Sequence, residues 1–157
     1  MNRCAFLLLL VFIVGTSAAL ASGKKRPQDV LGLKIGMTEE AVHKHLRKFA
    51  TQQKEEKDRE EEGEQEVWIL NSDDRFDYVL TRFNSEHRLI FVTVVARANR
   101  VRYSDIGASS EAKMATDGRN FSYRWKIDSD GKQQGYLLIA RGSNAEFLTS
   151  YSLYPAR

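Results

Sequence analysis

"LGLKIGMTEEAVHKHL", residues 31–46, joins a short apolar run to a pattern of helical period. Val30, Leu31, Leu33 and Ile35 are apolar, and Gly36 frees the backbone for a tight turn. Thr38 is placed to cap a helix, because its hydroxyl can accept from an early backbone amide. Glu39 and Glu40 occupy the first turn, where negative charge suits the positive end of the helix dipole. Met37 and Val42 stand at the two positions of a hydrophobic staple. Val42, Leu46 and Phe49 recur at i, i+4 and i+7 as one apolar stripe, while Lys44, Arg47 and Lys48 crowd the later turns. Gly36, Met37, Thr38 and Val42 thus form a helix-entry motif. The helix is expected to dock through its stripe onto whatever the rest of the chain builds.

Upstream, residues 1–21 read as a signal peptide. Arg3 supplies a positive start, residues 5–14 are uninterrupted apolar, and residues 16–21 are small. Ala19 and Ala21 fit an A-x-A site with cleavage before Ser22, and cleavage after Ala19 is the alternative. An uncleaved anchor is the other reading, but the run falls short of the roughly 20 apolar residues that span a bilayer. Residues 22–30, "SGKKRPQDV", read as a disordered basic lead-in. The only cysteine, Cys4, lies within the signal segment, so the exported product has no disulfide, thiol nucleophile or thiolate metal site. Cys4 precedes the apolar run, whereas a lipid-attachment cysteine follows one. A formal charge of +3 on 157 residues points to no partner class.

Downstream, residues 54–66, "KEEKDREEEGEQE", hold eight acidic and three basic residues. Lys54 with Asp58, Glu55 with Arg59 and Lys57 with Glu61 make i, i+4 pairs, so residues 51–66 are expected as an acidic arm, helical or disordered. After Gln65 the period changes to two. "EVWIL", "FDYVLTRF" and "RLIFVTVVA" read as strands, the last two as a hairpin. Residues 101–118 read as a loop, or as a short helix around Ser110 to Ala115. "NFSYRWKI", "GYLLIAR" and "EFLTSYSLY" complete six strands. The expected fold class is α+β: one N-terminal amphipathic helix packed on an antiparallel meander of about six strands, forming a single domain over residues 31–157. No convincing internal repeat is found.

"IGMTEEAV", through Gly36, Met37, Thr38 and Val42, resembles the entry motif of the SmpA/OmlA (BamE-like) family of bacterial envelope proteins, whose fold relates to the repeat of β-lactamase inhibitor protein. Trp68 and "FNSEHRLIFVTV", residues 83–94, resemble the strand–turn–strand signature of that family. The likeness covers about residues 31–95. The chain departs from the family where Leu46-Arg47-Lys48-Phe49 replaces Leu-Gly-x-Pro, in lacking a lipoprotein cysteine, and in the added strands of residues 120–154. The resemblance implies an exported, non-enzymatic, protein-binding module.

The residues alone suggest no reaction. His43 and His45 are two apart on a helix and point to different faces, so they make no i, i+4 metal pair. His87 falls in a hairpin turn, and all three histidines read as solvated. "DSDG", residues 128–131, fails as a calcium loop, because the twelve-residue template starting at Lys126 lacks the first Asp and ends on Leu137. No G-x-S-x-G, glycine-rich phosphate loop or H-E-x-x-H occurs. Asp73 and Asp74 adjoin without opposed environments. No catalytic, cofactor-binding or metal residue is expected, and no enzyme. Arg97, Arg100 and Arg102 cluster after the third strand, and Arg124 alternates with Tyr123 and Trp125 in the fourth. Arginine beside aromatics suits an interface anchor, so these six are the candidate partner-binding residues. In the competing reading the aromatics face the core and the arginines face water. The expected function is a non-enzymatic protein-binding module of the bacterial cell envelope, periplasmic or secreted. It would bind an envelope protein and no nucleic acid, with no stable membrane span after signal cleavage. The alternatives are a small-ligand or lipid-binding periplasmic protein, or an inhibitor of an exported enzyme.

Overall fold

The computed structural model describes residues 29–53, 65–127 and 135–156. The signal segment, most of the lead-in, the acidic run up to residue 64 and the "DSDG" turn lie outside the described residues.

The helix-entry motif folds as its residues dictate. Gly36 takes φ +85°, a conformation that favours glycine. The Thr38 hydroxyl accepts from the amide of Ala41 at 3.3 Å, and helix α1 runs Glu39–Leu46 with Val42 and Leu46 buried. The segment before the helix is tied by its backbone to the hairpin of residues 76–96. Gly36 N–H donates to Leu89 O at 2.8 Å, Leu89 N–H to Met37 O at 2.8 Å, and Glu39 N–H to His87 O at 2.9 Å. Gly-Met-Thr therefore does two jobs: it starts the helix and anchors it to the sheet.

Among the described residues eight strands follow: β1 Ala50–Gln53, β2 Gln65–Leu70, β3 Phe76–Phe83, β4 Leu89–Ala96, β5 Lys113–Thr116, β6 Phe121–Ile127, β7 Tyr136–Gly142 and β8 Ser150–Pro155. They form one antiparallel sheet in the order β1-β2-β3-β4-β8-β7-β6-β5. Between β4 and β5 lie a single helical turn, α2 (Tyr103–Ile106), and a 3-10 turn at Ser109–Glu111.

The strand order makes two four-strand meanders that meet where β4 pairs with β8. Their registers match. Trp68 stands opposite Val79, and Val79 opposite Val94; Trp125 stands opposite Leu138, and Leu138 opposite Leu153. Across the junction Val94 pairs with Tyr151 and Val92 with Leu153, as a local two-fold axis requires. That axis passes through the Thr93–Ser152 pair, whose hydroxyl oxygens are 2.6 Å apart. Both entry segments obey it. Thr38 bridges to Arg88 just before β4, and Arg102 bridges to Phe147 just before β8. The repeat lies in topology and register, with almost no identity of sequence.

One face of the sheet is closed. Trp68, Val79, Val94, Trp125, Leu138 and Leu153 alternate onto it and pack with Val42, Leu46 and Tyr103 in a single core. Fully burying side chains of this size contributes about 1.5–3 kcal/mol each.

The structure overturns the expected fold class. The described residues are mostly β, with eight strands, one eight-residue helix and two short helical turns in place of a helix on about six strands. The extra strands are β1 and β5, whose residues "ATQQ" and "KMAT" are almost wholly exposed. Edge strands of this kind carry no apolar alternation; pairing with β2 and β6 makes them strands. Residues 51–53, expected in the arm, are therefore in β1, and Gln65 and Glu66 are in β2. The helix stops at Leu46, so Phe49 sits in the following turn, half-buried against the core.

Candidate functional site

Glu66 is the last polar residue before the apolar core of β2, and the alternation of the strand turns it onto the closed face beside Trp68. There its carboxylate collects four partners. Trp68 Nε1 donates to Oε2 at 3.1 Å, Thr81 Oγ1 donates to Oε2 at 3.1 Å, and Gln52 Nε2 donates to Oε1 at 3.1 Å. The fourth is His43 on α1, whose Nε2 lies 2.8 and 2.9 Å from the two oxygens and so donates to them. Glu66 and His43 side chains keep only 15% and 16% of their exposure. Burying a carboxylate is costly unless its lone pairs are occupied, and here donors from β1, β2, β3 and α1 occupy them.

The chain continues outward. Glu39, one turn before His43, places Oε1 3.9 Å from His43 Nε2 and takes a 2.6 Å bond on Oε2 from His87 Nδ1. The order His87–Glu39–His43–Glu66 runs from solvent to the edge of the core. It opens on a shallow depression lined by Thr38, Glu40, Lys44, Arg47, Glu86 and Arg88. The His43 ring is wedged against Trp68 and Phe83, with centroids at 5.2 and 5.9 Å. His43 is thus a packed, hydrogen-bonded residue, which corrects its reading as solvated. His45 is also partnered, its Nε2 donating to Leu31 O at 2.8 Å. His87 is exposed, as its hairpin position implies.

The second half fills the equivalent positions differently. Tyr103 replaces Glu39, Gly107 replaces His43, Tyr123 replaces Glu66 and Ala140 replaces Thr81. The two tyrosine rings pack against each other, with centroids 4.4 Å apart and planes tilted by 37°. Burial, followed by the proximity of Tyr123, raises the pKa of the Tyr103 hydroxyl above its ordinary value. Trp125 cannot donate to a carboxylate here, so its Nε1 donates to Ala108 O at 3.0 Å.

The six candidate partner-binding residues fall in three places. Tyr123 and Trp125 face the core, Trp125 at 1% exposure. Arg124 points through the opposite face and is exposed. Arg97, Arg100 and Arg102 lie between β4 and α2. Arg97 pairs with Asp77 at 3.3 Å and donates to Asp73 O at 3.2 Å, and Arg102 pairs with Glu146 at 3.0 Å while lying over Phe147. The six do not converge.

The opposite face is where exposed aromatic surface collects. Tyr78, Leu80, Phe91, Val95, Leu137 and Tyr154 are only partly buried on it, and Ile69 is 40% exposed. Phe91 and Tyr154 touch at 5.1 Å, and the Arg82 guanidinium sits over Phe91. Among the described strand residues whose register turns them onto this face, the charged ones are Arg82, Lys113, Arg124, Lys126 and Arg141. All are cations. Among the described residues no helix is long and apolar enough to cross a membrane. No family model, curated protein or solved structure matches this chain.

Proposed function

We propose that this chain is a non-enzymatic, exported module of the bacterial envelope that recognises a protein partner through the open face of its sheet. The observation that carries the reading is that face. It mixes half-exposed Tyr78, Phe91 and Tyr154 with five cations that register turns onto it from the described strands, while Asp77, in the bulge beside Tyr78, is paired with Arg97. Interfaces are enriched in tyrosine, phenylalanine and arginine, and a surface of one charge sign selects a partner of the other. The partner would therefore present an acidic surface around an apolar centre. The envelope assignment rests on the signal-like residues 1–21 and on the resemblance of Gly36, Met37, Thr38 and Val42 to the BamE-like entry motif.

The test is cross-linked capture from an envelope extract, followed by measured affinity for the captured protein. Phe91→Ala and Arg141→Glu are expected to weaken that complex at least about tenfold, as hot-spot residues do. Glu40→Ala, on the solvent side of α1 behind the closed face, is expected to leave it unchanged. A complex indifferent to both open-face substitutions would refute the reading.

A further inference from the structure

The geometry points to a binding site for a divalent transition-metal ion of the zinc class at Glu39, His43 and Glu66, behind the sheet from the proposed recognition face. Their ligand atoms lie within 4.8 Å of one another. Zinc bonds of about 2.0–2.2 Å in tetrahedral geometry place neighbouring ligand atoms about 3.4 Å apart. His43 Nε2 stands 2.8 Å from Glu66 Oε1 and 3.9 Å from Glu39 Oε1, which brackets that spacing.

The oxygens are arranged as a metal requires. In each carboxylate the Oε2 atom is held from behind: that of Glu66 by Trp68 Nε1 and Thr81 Oγ1, that of Glu39 by His87 Nδ1. In each the Oε1 atom faces His43 Nε2, and that of Glu66 also accepts from Gln52 Nε2 at 3.1 Å, which leaves it a second lone pair. Donors that hold a carboxylate in place while leaving a lone pair for the ion are the usual outer shell of a metal carboxylate. The ring of His43 is fixed by Trp68 and Phe83, so its nitrogen need not search for the site. On binding, the imidazole takes its other tautomer, with the proton on Nδ1 and the Nε2 lone pair on the ion, so that a neutral ring and two carboxylates balance a 2+ charge. An imidazole ligand favours zinc-class ions over calcium or magnesium. The depression that Glu39 and His43 help to line, beside Lys44 and Arg88, opens the cluster to water or to a ligand from outside.

Spacing on α1 hides this arrangement from a search for paired histidines. Glu39 and His43 are the i, i+4 pair, and Glu66 arrives from 23 residues beyond His43.

The test is titration of the purified, metal-free protein with zinc sulfate against a chromophoric chelator, with circular dichroism as the check on folding. One equivalent is expected to bind, and to raise the melting temperature of the parent chain. His43→Gln, Glu66→Gln and Glu39→Gln are each expected to weaken uptake by about tenfold or more. His87→Ala should weaken it less, because that residue acts through Glu39. If Glu66→Gln fails to fold, Glu39→Gln on the exposed helix surface decides the matter. The proposal is overturned if the parent chain takes up no zinc. It is equally overturned if uptake is undiminished in Glu39→Gln and His43→Gln, which would assign the ion to another place such as the acidic run.

Discussion

The two halves of the sheet share a frame and differ in what fills it. Each is a four-strand meander with a buried tryptophan on its second strand, at 0% exposure for Trp68 and 1% for Trp125. In the first half the position two before the tryptophan is Glu66, and an eight-residue helix brings His43 down onto it. In the second it is Tyr123, and a single helical turn brings Tyr103 onto it. The length of the helix follows. Gly107 stands where α1 has His43, and glycine costs about 1 kcal/mol in a helix, so α2 ends there. Backbone register conserves the frame while side-chain chemistry is free to diverge. One half holds a buried carboxylate with four donors, the other a tilted pair of phenols in contact.

The largest expected effect tests whether the frame is shared. Trp68→Ala and Trp125→Ala should each cost about 3–5 kcal/mol in urea denaturation, the usual range for emptying a buried aromatic site. A loss under about 1 kcal/mol at either position would show that its half does not depend on the tryptophan. The next concerns a place where the halves differ in volume. Phe83 in β3 fills the closed face, and its counterpart in β7 is Gly142. A Cβ on Gly142 would stand 2.4 Å from Phe147 O and 2.5 Å from the Tyr103 hydroxyl. Gly142→Ala should therefore cost about 2–3 kcal/mol, the upper part of the overpacking range. A neutral result would mean that the Tyr103 ring does not occupy the space that Phe83 fills on the other side.

The smallest effect is confined to the turn between β5 and β6. Asp117 accepts from the Asn120 side chain and from the amides of Arg119 and Asn120, and these bonds lower its pKa from 3.8 to about 2. A carboxylate with a depressed folded pKa contributes stability above its unfolded value and loses it as pH falls through the folded one. The turn should keep its hydrogen bonds as pH falls past 3.8 and release them around pH 2, while the stability they contribute declines between those two values. The amide shifts of Arg119 and Asn120 should report that midpoint. A midpoint at the ordinary carboxylate value would contradict the bonding described.

The parts of the sequence that were legible are those where local chemistry and tertiary structure agree. Thr38, Glu39, Met37 and Val42 specify the helix start locally, and the cap forms between Thr38 and Ala41. "NFSYRWKI" alternates because one face of β6 meets the core, so its strand can be read directly. β1 and β5 cannot be read in this way, since nothing in "ATQQ" or "KMAT" records the neighbour that recruits them. The opposite charges after residue 53 favoured a helical reading there that extended back across β1. The site was legible only in its helical part. Glu39 and His43 have the spacing of one helix face, but Glu66 sat inside a charge run and looked solvated until strand alternation turned it inward. The repeat was hidden because register, rather than residue identity, carries it.

The claim on which the rest depends is that β4 and β8 weld two meanders into one cooperative sheet. Native-state hydrogen exchange measures this directly. The amides of Val92, Val94, Tyr151 and Leu153 should be among the slowest in the molecule and should exchange only with global unfolding, while those of β1 and β5 exchange early. If the β4 and β8 amides exchange ahead of the interiors of both halves, the sheet is two units in contact and the account fails.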